Sequence, residues 1–231
     1  MGEKVQISTP DGAFGAYVAR PAAAKAPAIV VIQEIFGVNR VMRDLADGYA
    51  ADGYLAICPD LFWRIEPGID ITDQSEAEWK KAFELFNAFD VDLGVKDIAA
   101  TIAHIRGDAG CAGKVGAVGY CLGGLLAFLT AARTDVDAAV GYYGVGIERR
   151  LAEADKLAGP LILHIAQNDQ FVPTEAQALI VAALKNHPHV ELYTYPGRDH
   201  AFARKGGEHY HAADAAAANA RTLTLFRKAL V

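Results

Sequence analysis

The chain has 231 residues, 52% of them apolar and 22% charged, and its 28 acidic against 22 basic side chains give a formal net charge of −6. That is the make-up of a folded globular protein long enough to bury one sizeable core, and the negative balance excludes a general attraction to nucleic acid or anionic membrane. No apolar run approaches the ~20 residues that cross a bilayer. The start, Met1 to Val5, lacks a secretory signal, and three cysteines suggest neither a disulfide framework nor a metal site, so a cytoplasmic monomer with reduced thiols, no metal and no cofactor is expected.

In chain order, Val5 to Thr9 and Phe14 to Ala19 read as a hairpin around the turn residues Pro10-Asp11-Gly12. After a soft linker, Pro21 to Pro27, the branched run Ala28 to Ile32 has the pattern of a strand buried on both faces. Helical spacing over Val41 to Tyr49 and a second buried run, Tyr54 to Cys58, complete a β-α-β unit. Leu61 to Ser75 has no period and carries Pro67 and Gly68, which predicts a surface excursion that helps cover a site. Glu76 to Arg106 is helix-rich with an expected break near Asp90 to Gly94. Then follow strand Lys114 to Tyr120, helix Leu122 to Arg133, strand Ala138 to Tyr143, strand Leu161 to Ala166, helix Thr174 to Asn186, strand Val190 to Tyr195 and a last helix from Tyr210 to Leu230.

This alternation requires crossover connections, which put helices on both faces of a mostly parallel sheet of about eight strands in one α/β domain spanning residues 1–231. Sites in such sheets lie beyond the carboxyl ends of the strands. Four polar residues have that address: Glu34, Cys121, Asp169 and His200.

Gly119-Tyr120-Cys121-Leu122-Gly123 falls where a strand hands over to a helix, the pattern of a nucleophile elbow with cysteine in the serine position. The nucleophile must take a strained backbone conformation there, and glycines leave room for the turn. A thiol is mostly protonated near neutral pH, so it needs a base and a group that orients the base. His200 and Asp169 supply these in the chain order nucleophile, acid, histidine of α/β-hydrolase triads. Asp169 could instead cap the helix near Thr174, and Asp135 and Asp137 are rival acids. The other six histidines fall inside element patterns or in surface segments, and Cys58 and Cys111 are assigned to structure. Glu34, directly after an apolar strand, is expected to be partly buried. It either pairs with Arg40 or Arg43 or accepts the thiol proton of Cys121 when substrate arrives. The amides of Ile35 and Leu122 are the candidates for an oxyanion hole.

These residues resemble the dienelactone hydrolase family, cysteine members of the α/β-hydrolase fold. Besides the elbow, Gln33-Glu34-Ile35-Phe36-Gly37, Gly141-Tyr142-Tyr143-Gly144, Asp169-Gln170-Phe171-Val172-Pro173 and His200-Ala201-Phe202-Ala203-Arg204 carry the likeness over nearly the whole chain. The resemblance implies a Cys121, His200, Asp169 triad, a switch carboxylate at Glu34, a substrate carboxylate bound by Arg204, and Tyr142 and Phe36 at the pocket. One departure stands out. Where similar dienelactone-cleaving members carry a second carboxylate-binding arginine and a tyrosine, this chain has Trp79 and Phe83, and Lys80 or Lys81 is the candidate to supply the missing charge, without the planar fork of a guanidinium.

The expected reaction is opening of an enol lactone, dienelactone to maleylacetate, through a Cys121 thioester. Leaving-group chemistry favours that class, because a thiolate leaves a tetrahedral intermediate more readily than an alkoxide does but competes less well with a stabilised enolate. A carboxylesterase or thioesterase of other substrate range is the alternative. A ligand-binding or thiol-sensing protein without turnover is a further reading.

Overall fold

The computed structural model describes residues 2–231. Among them eight strands form one sheet in the order β1-β2-β4-β3-β5-β6-β7-β8. The chain divides into two compact units, Met1–Gly116 and Ala117–Val231.

In the first unit, β1 (Glu3–Thr9) and β2 (Gly12–Ala19) form the expected antiparallel hairpin, with Thr9 opposite Gly12 and the Thr9 hydroxyl bonded across the turn. β2 is also antiparallel to β4 (Leu55–Pro59), while β3 (Ala26–Ile32) runs parallel to β4. Both β3 and β4 are buried nearly throughout, as continuous apolar runs require in a sheet covered on both faces. Between them lies α1 (Arg40–Ala51), capped by the Asn39 side chain, which accepts from the Met42 amide.

The helix-rich segment resolves into α2 (Glu76–Ala88) and α3 (Val91–Arg106). The break comes earlier than the glycine suggested. Asp90 accepts from the amides of Asp92 and Leu93 and so starts α3 itself, leaving Gly94 inside the helix. A Cβ on Gly94 would lie 2.4 Å from the Phe89 ring, so the glycine serves close packing rather than helix termination.

In the second unit, β6 (Ala138–Tyr142), β7 (Leu161–Ala166) and β8 (Val190–Tyr195) pair in parallel, and β5 (Cys111–Tyr120), which enters this unit at Ala117, leads into α4 (Leu122–Arg133). Every residue of α4 from Leu122 to Ala132 is buried, which explains why its sequence is apolar on all faces. Each large side chain buried there contributes roughly 1.5–3 kcal/mol. α5 (Thr174–Leu184) stops two residues short of the expected end, and α6 (Ala212–Leu230) starts two residues late. The start is set by His211, whose ring nitrogen accepts from the Asp214 amide. β6 ends at Tyr142 rather than Tyr143, because Tyr143 takes φ +39° and leaves the strand.

Candidate active site

Cys121 sits between β5 and α4 with φ 58° and ψ −116°, a conformation L residues avoid unless their surroundings impose it. Those surroundings are backbone. The Cys121 amide donates to the Tyr142 carbonyl at 3.1 Å, and the Cys121 carbonyl accepts from Gly124 and Val145. A Cβ at Gly119 would fall 1.8 Å from the Gly123 carbonyl oxygen, so only glycine permits the turn. Gly124 likewise faces the Tyr142 carbonyl at 2.6 Å from its hypothetical Cβ. Cys121 is thereby fixed at the N-terminus of α4, where unpaired amides and the helix dipole favour a negative charge.

His200 and Asp169 meet in the same unit. Asp169 Oδ2 lies 2.7 Å from His200 Nδ1, and both residues are buried. The other carboxylate oxygen accepts from the amides of Phe171 and Val172, so its geometry is set on both sides. Asp169 therefore does not cap α5, whose N-cap position is Pro173. Burial alone would depress the His200 pKa. The electrostatic interaction with Cys121, followed by the Asp169 bond, outweighs that and raises it to about 10. His200 Nε2 meets no group with conventional hydrogen-bond geometry. Its coupling to Cys121 is electrostatic with a hydrogen-bonding contribution beside it.

In the first unit, Glu34 and Ile35 follow β3 and are buried at 2% and 5% exposure. Arg40 pairs with Asp44, and Arg43 with Asp70 and the Val38 carbonyl, so both arginines considered as Glu34 partners are engaged with other groups. The excursion after β4 is stapled onto the Glu34 loop. Gln33 Oε1 accepts from the Leu61 amide, Ile71 donates to the Phe36 carbonyl, and Gly37 pairs with Asp70. Phe36 packs edge-on against Trp79, which stacks on Phe83. Lys81 is paired with Glu66, and Lys80 is exposed.

Residues 14–230 match the model of the Dienelactone hydrolase family. The chain belongs to that family. A Pseudomonas putida carboxymethylenebutenolidase is 44% identical over 224 residues, covering 96% of this chain and 95% of the relative. An Azospirillum brasilense relative assigned the same activity is 51% identical over 225 residues, covering 95% of each. A crystal structure of a Klebsiella pneumoniae protein assigned to the dienelactone hydrolases superposes with a TM-score of 0.85 at 27% identity, covering 98% of both chains. As a dienelactone hydrolase family member with the α/β-hydrolase fold, this chain is a hydrolase of ester or lactone bonds.

Sequence reading pointed to one tyrosine, and the fold presents another. Tyr142, the last residue of β6, is fully buried, and its hydroxyl meets Asn219 and Thr222. Tyr143 instead turns its ring edge-on to His200, with centroids 5.0 Å apart, and Phe171 flanks the imidazole at 4.8 Å. Among the described residues, the non-glycine residues with positive φ are Cys121, Tyr143 and Ala201, each at or beside Cys121 or His200. The adjacent glycine in Tyr143-Gly144 was the available sequence signal for Tyr143. Arg204 is buried in the turn after His200, its amide bonded to the Ala201 carbonyl.

Proposed function

We propose that this hydrolase opens enol lactones of the dienelactone type to maleylacetate through a Cys121 thioester. The observation that carries the reading is the buried group Cys121, His200 and Asp169, with the 2.7 Å bond between the last two and the thiol at a helix N-terminus. Cys121 thiolate attacks the lactone carbonyl, and the ring C–O bond breaks to release an enolate, which takes up a proton. Water, deprotonated by His200, then attacks the thioester and expels the thiolate. Asp169 holds the imidazole in the required tautomer. Glu34, buried after β3, is the group assigned to accept the thiol proton, and the amides of Leu122 and Ile35 are assigned to the oxyanion.

Arg204 is the proposed partner of the substrate carboxylate, since a buried guanidinium recognises a carboxylate strongly. The pairing of Lys81 with Glu66 and the exposure of Lys80 support Arg204 over either lysine. No helix among the described residues is long and apolar enough to cross a membrane, which is compatible with a cytoplasmic enzyme. One domain acting as a monomer on a small molecule completes the reading.

The aromatic pair Trp79 and Phe83 favours a second reading, an esterase with a broader apolar acyl or alcohol group. Turnover of dienelactone compared with a panel of neutral p-nitrophenyl esters separates the two. The first reading expects kcat/KM for dienelactone to exceed that for the neutral esters by at least about 100-fold, the worth of one charge-assisted contact. It also expects both activities to vanish in Cys121→Ala. Dienelactone turnover that survives this substitution would discard the thioester route.

A further inference from the structure

Behind the elbow lies a chain of polar side chains, buried at Tyr195, His164, Thr222 and Tyr142 and reaching the surface at Asn219, that Cys121, His200 and Asp169 do not use. Arg221 Nη1 donates to the Tyr195 hydroxyl at 2.9 Å, and that hydroxyl lies 2.8 Å from His164 Nδ1. His164 Nε2 is 3.2 Å from Thr222 Oγ1, which lies 2.7 Å from the Tyr142 hydroxyl, itself 2.9 Å from Asn219 Oδ1. A guanidinium can only donate and the Asn219 Oδ1 can only accept, so with a neutral imidazole between them the direction of each link follows. Tyr195 accepts from Arg221 and gives its proton to His164 Nδ1. The neutral ring then carries its proton on Nε2 and donates to Thr222, which donates to Tyr142, which donates to Asn219. Burial, with the nearby Arg221 charge, lowers the His164 pKa to about 3, so the ring stays neutral and the direction persists through the neutral range.

Two members of this chain, Tyr142 and His164, also hold the backbone beside the nucleophile. The Tyr142 carbonyl accepts the Cys121 amide, and the Tyr143 amide donates to the His164 carbonyl at 2.8 Å. The Tyr142–Tyr143 peptide is thus gripped through a side chain on one residue and an amide on the next. Between them the chain turns to the positive φ that sets the Tyr143 ring against His200. We propose that Thr222 and His164 are positioning residues of the hydrolase, which clamp the Tyr142–Tyr143 turn from α6 and β7 and so hold Cys121 and His200 in register. The proposal rests on the catalytic assignment of Cys121 and His200 made above.

Thr222→Val keeps the shape and removes both links, leaving a buried imidazole N–H and a buried phenol short of a partner. The expected result is a fall in kcat of about tenfold with KM within about twofold, since the loss is of alignment rather than of substrate contact. Alkylation of Cys121 by iodoacetamide should slow as well, and Thr222→Ser should restore both rates. Tyr142→Phe retains the ring stack on Tyr120 and should reproduce the defect if the valine variant fails to fold. Wild-type kcat and alkylation rates in folded Thr222→Val or Tyr142→Phe, or a serine variant as slow as the valine one, would overturn the proposal. The alkylation arm reads Cys121 directly, so a wrong assignment of the lactone substrate leaves it intact.

Discussion

Cys58 and Cys121 are the same residue type at the carboxyl ends of two strands of one sheet, and their surroundings make them different chemical groups. Cys58 lies within β4 with no exposed surface, and burial, helped by the charge of Asp60, raises its thiol pKa. It behaves as a small apolar side chain. Cys121 lies one step past β5, where the chain turns through φ 58° into a helix and the thiol shares its electrostatic field with His200. The two environments thus differ in whether the strand continues or turns at the cysteine, and in what the turn brings opposite it.

The contrast can be broken most severely from the acid. Asp169→Asn should lower kcat/KM by about 10³-fold or more while leaving the protein folded, because the imidazole loses its correct tautomer. Activity within tenfold of wild type would remove Asp169 from the catalytic group. A second measurement compares the thiols themselves. Iodoacetamide with mass mapping should label Cys121 at least about 100-fold faster than Cys58 in the native protein, with the difference disappearing in urea. Equal native rates would contradict the environmental argument.

Alkaline pH sharpens the comparison through His200. Its folded pKa is raised above the unfolded value of ~6.5, so its contribution to stability is complete below that value and is lost as pH rises through about 10. The urea midpoint of wild type should therefore fall between pH 8 and 10 more than that of Cys121→Ala, which lacks the sulfur whose interaction raises the His200 pKa. Parallel slopes would show that the sulfur does not retain the imidazolium. Acid provides the smallest effect and tests the buried frame instead. The His164 pKa is depressed to about 3, so the neutral ring favours the folded state above pH ~6.5 and loses that advantage as pH falls. By pH 5 the cost should reach about 2 kcal/mol relative to pH 7, measurable by urea titration and absent from His164→Asn.

Much of the site was legible because its signals are local. An elbow needs glycine at Gly119 for a steric reason confined to a few residues, and the order of Cys121, Asp169 and His200 along the chain is a property of topology. Strand and helix periods likewise placed β7, β8 and α4 on their observed bounds. What the pattern could not show was where a strand stops obeying its period. Tyr142 and Tyr143 are adjacent aromatic residues, and nothing in their order says that the first reaches Thr222, 80 residues away, while the second turns to face His200. The same holds for Lys81, whose charge is directed to Glu66 across 15 residues. Backbone sterics and apolar periodicity act over a few neighbours and were written into the amino-acid order. Side-chain direction and long-range hydrogen bonding depend on which distant elements pack together, and only the tertiary structure decided them.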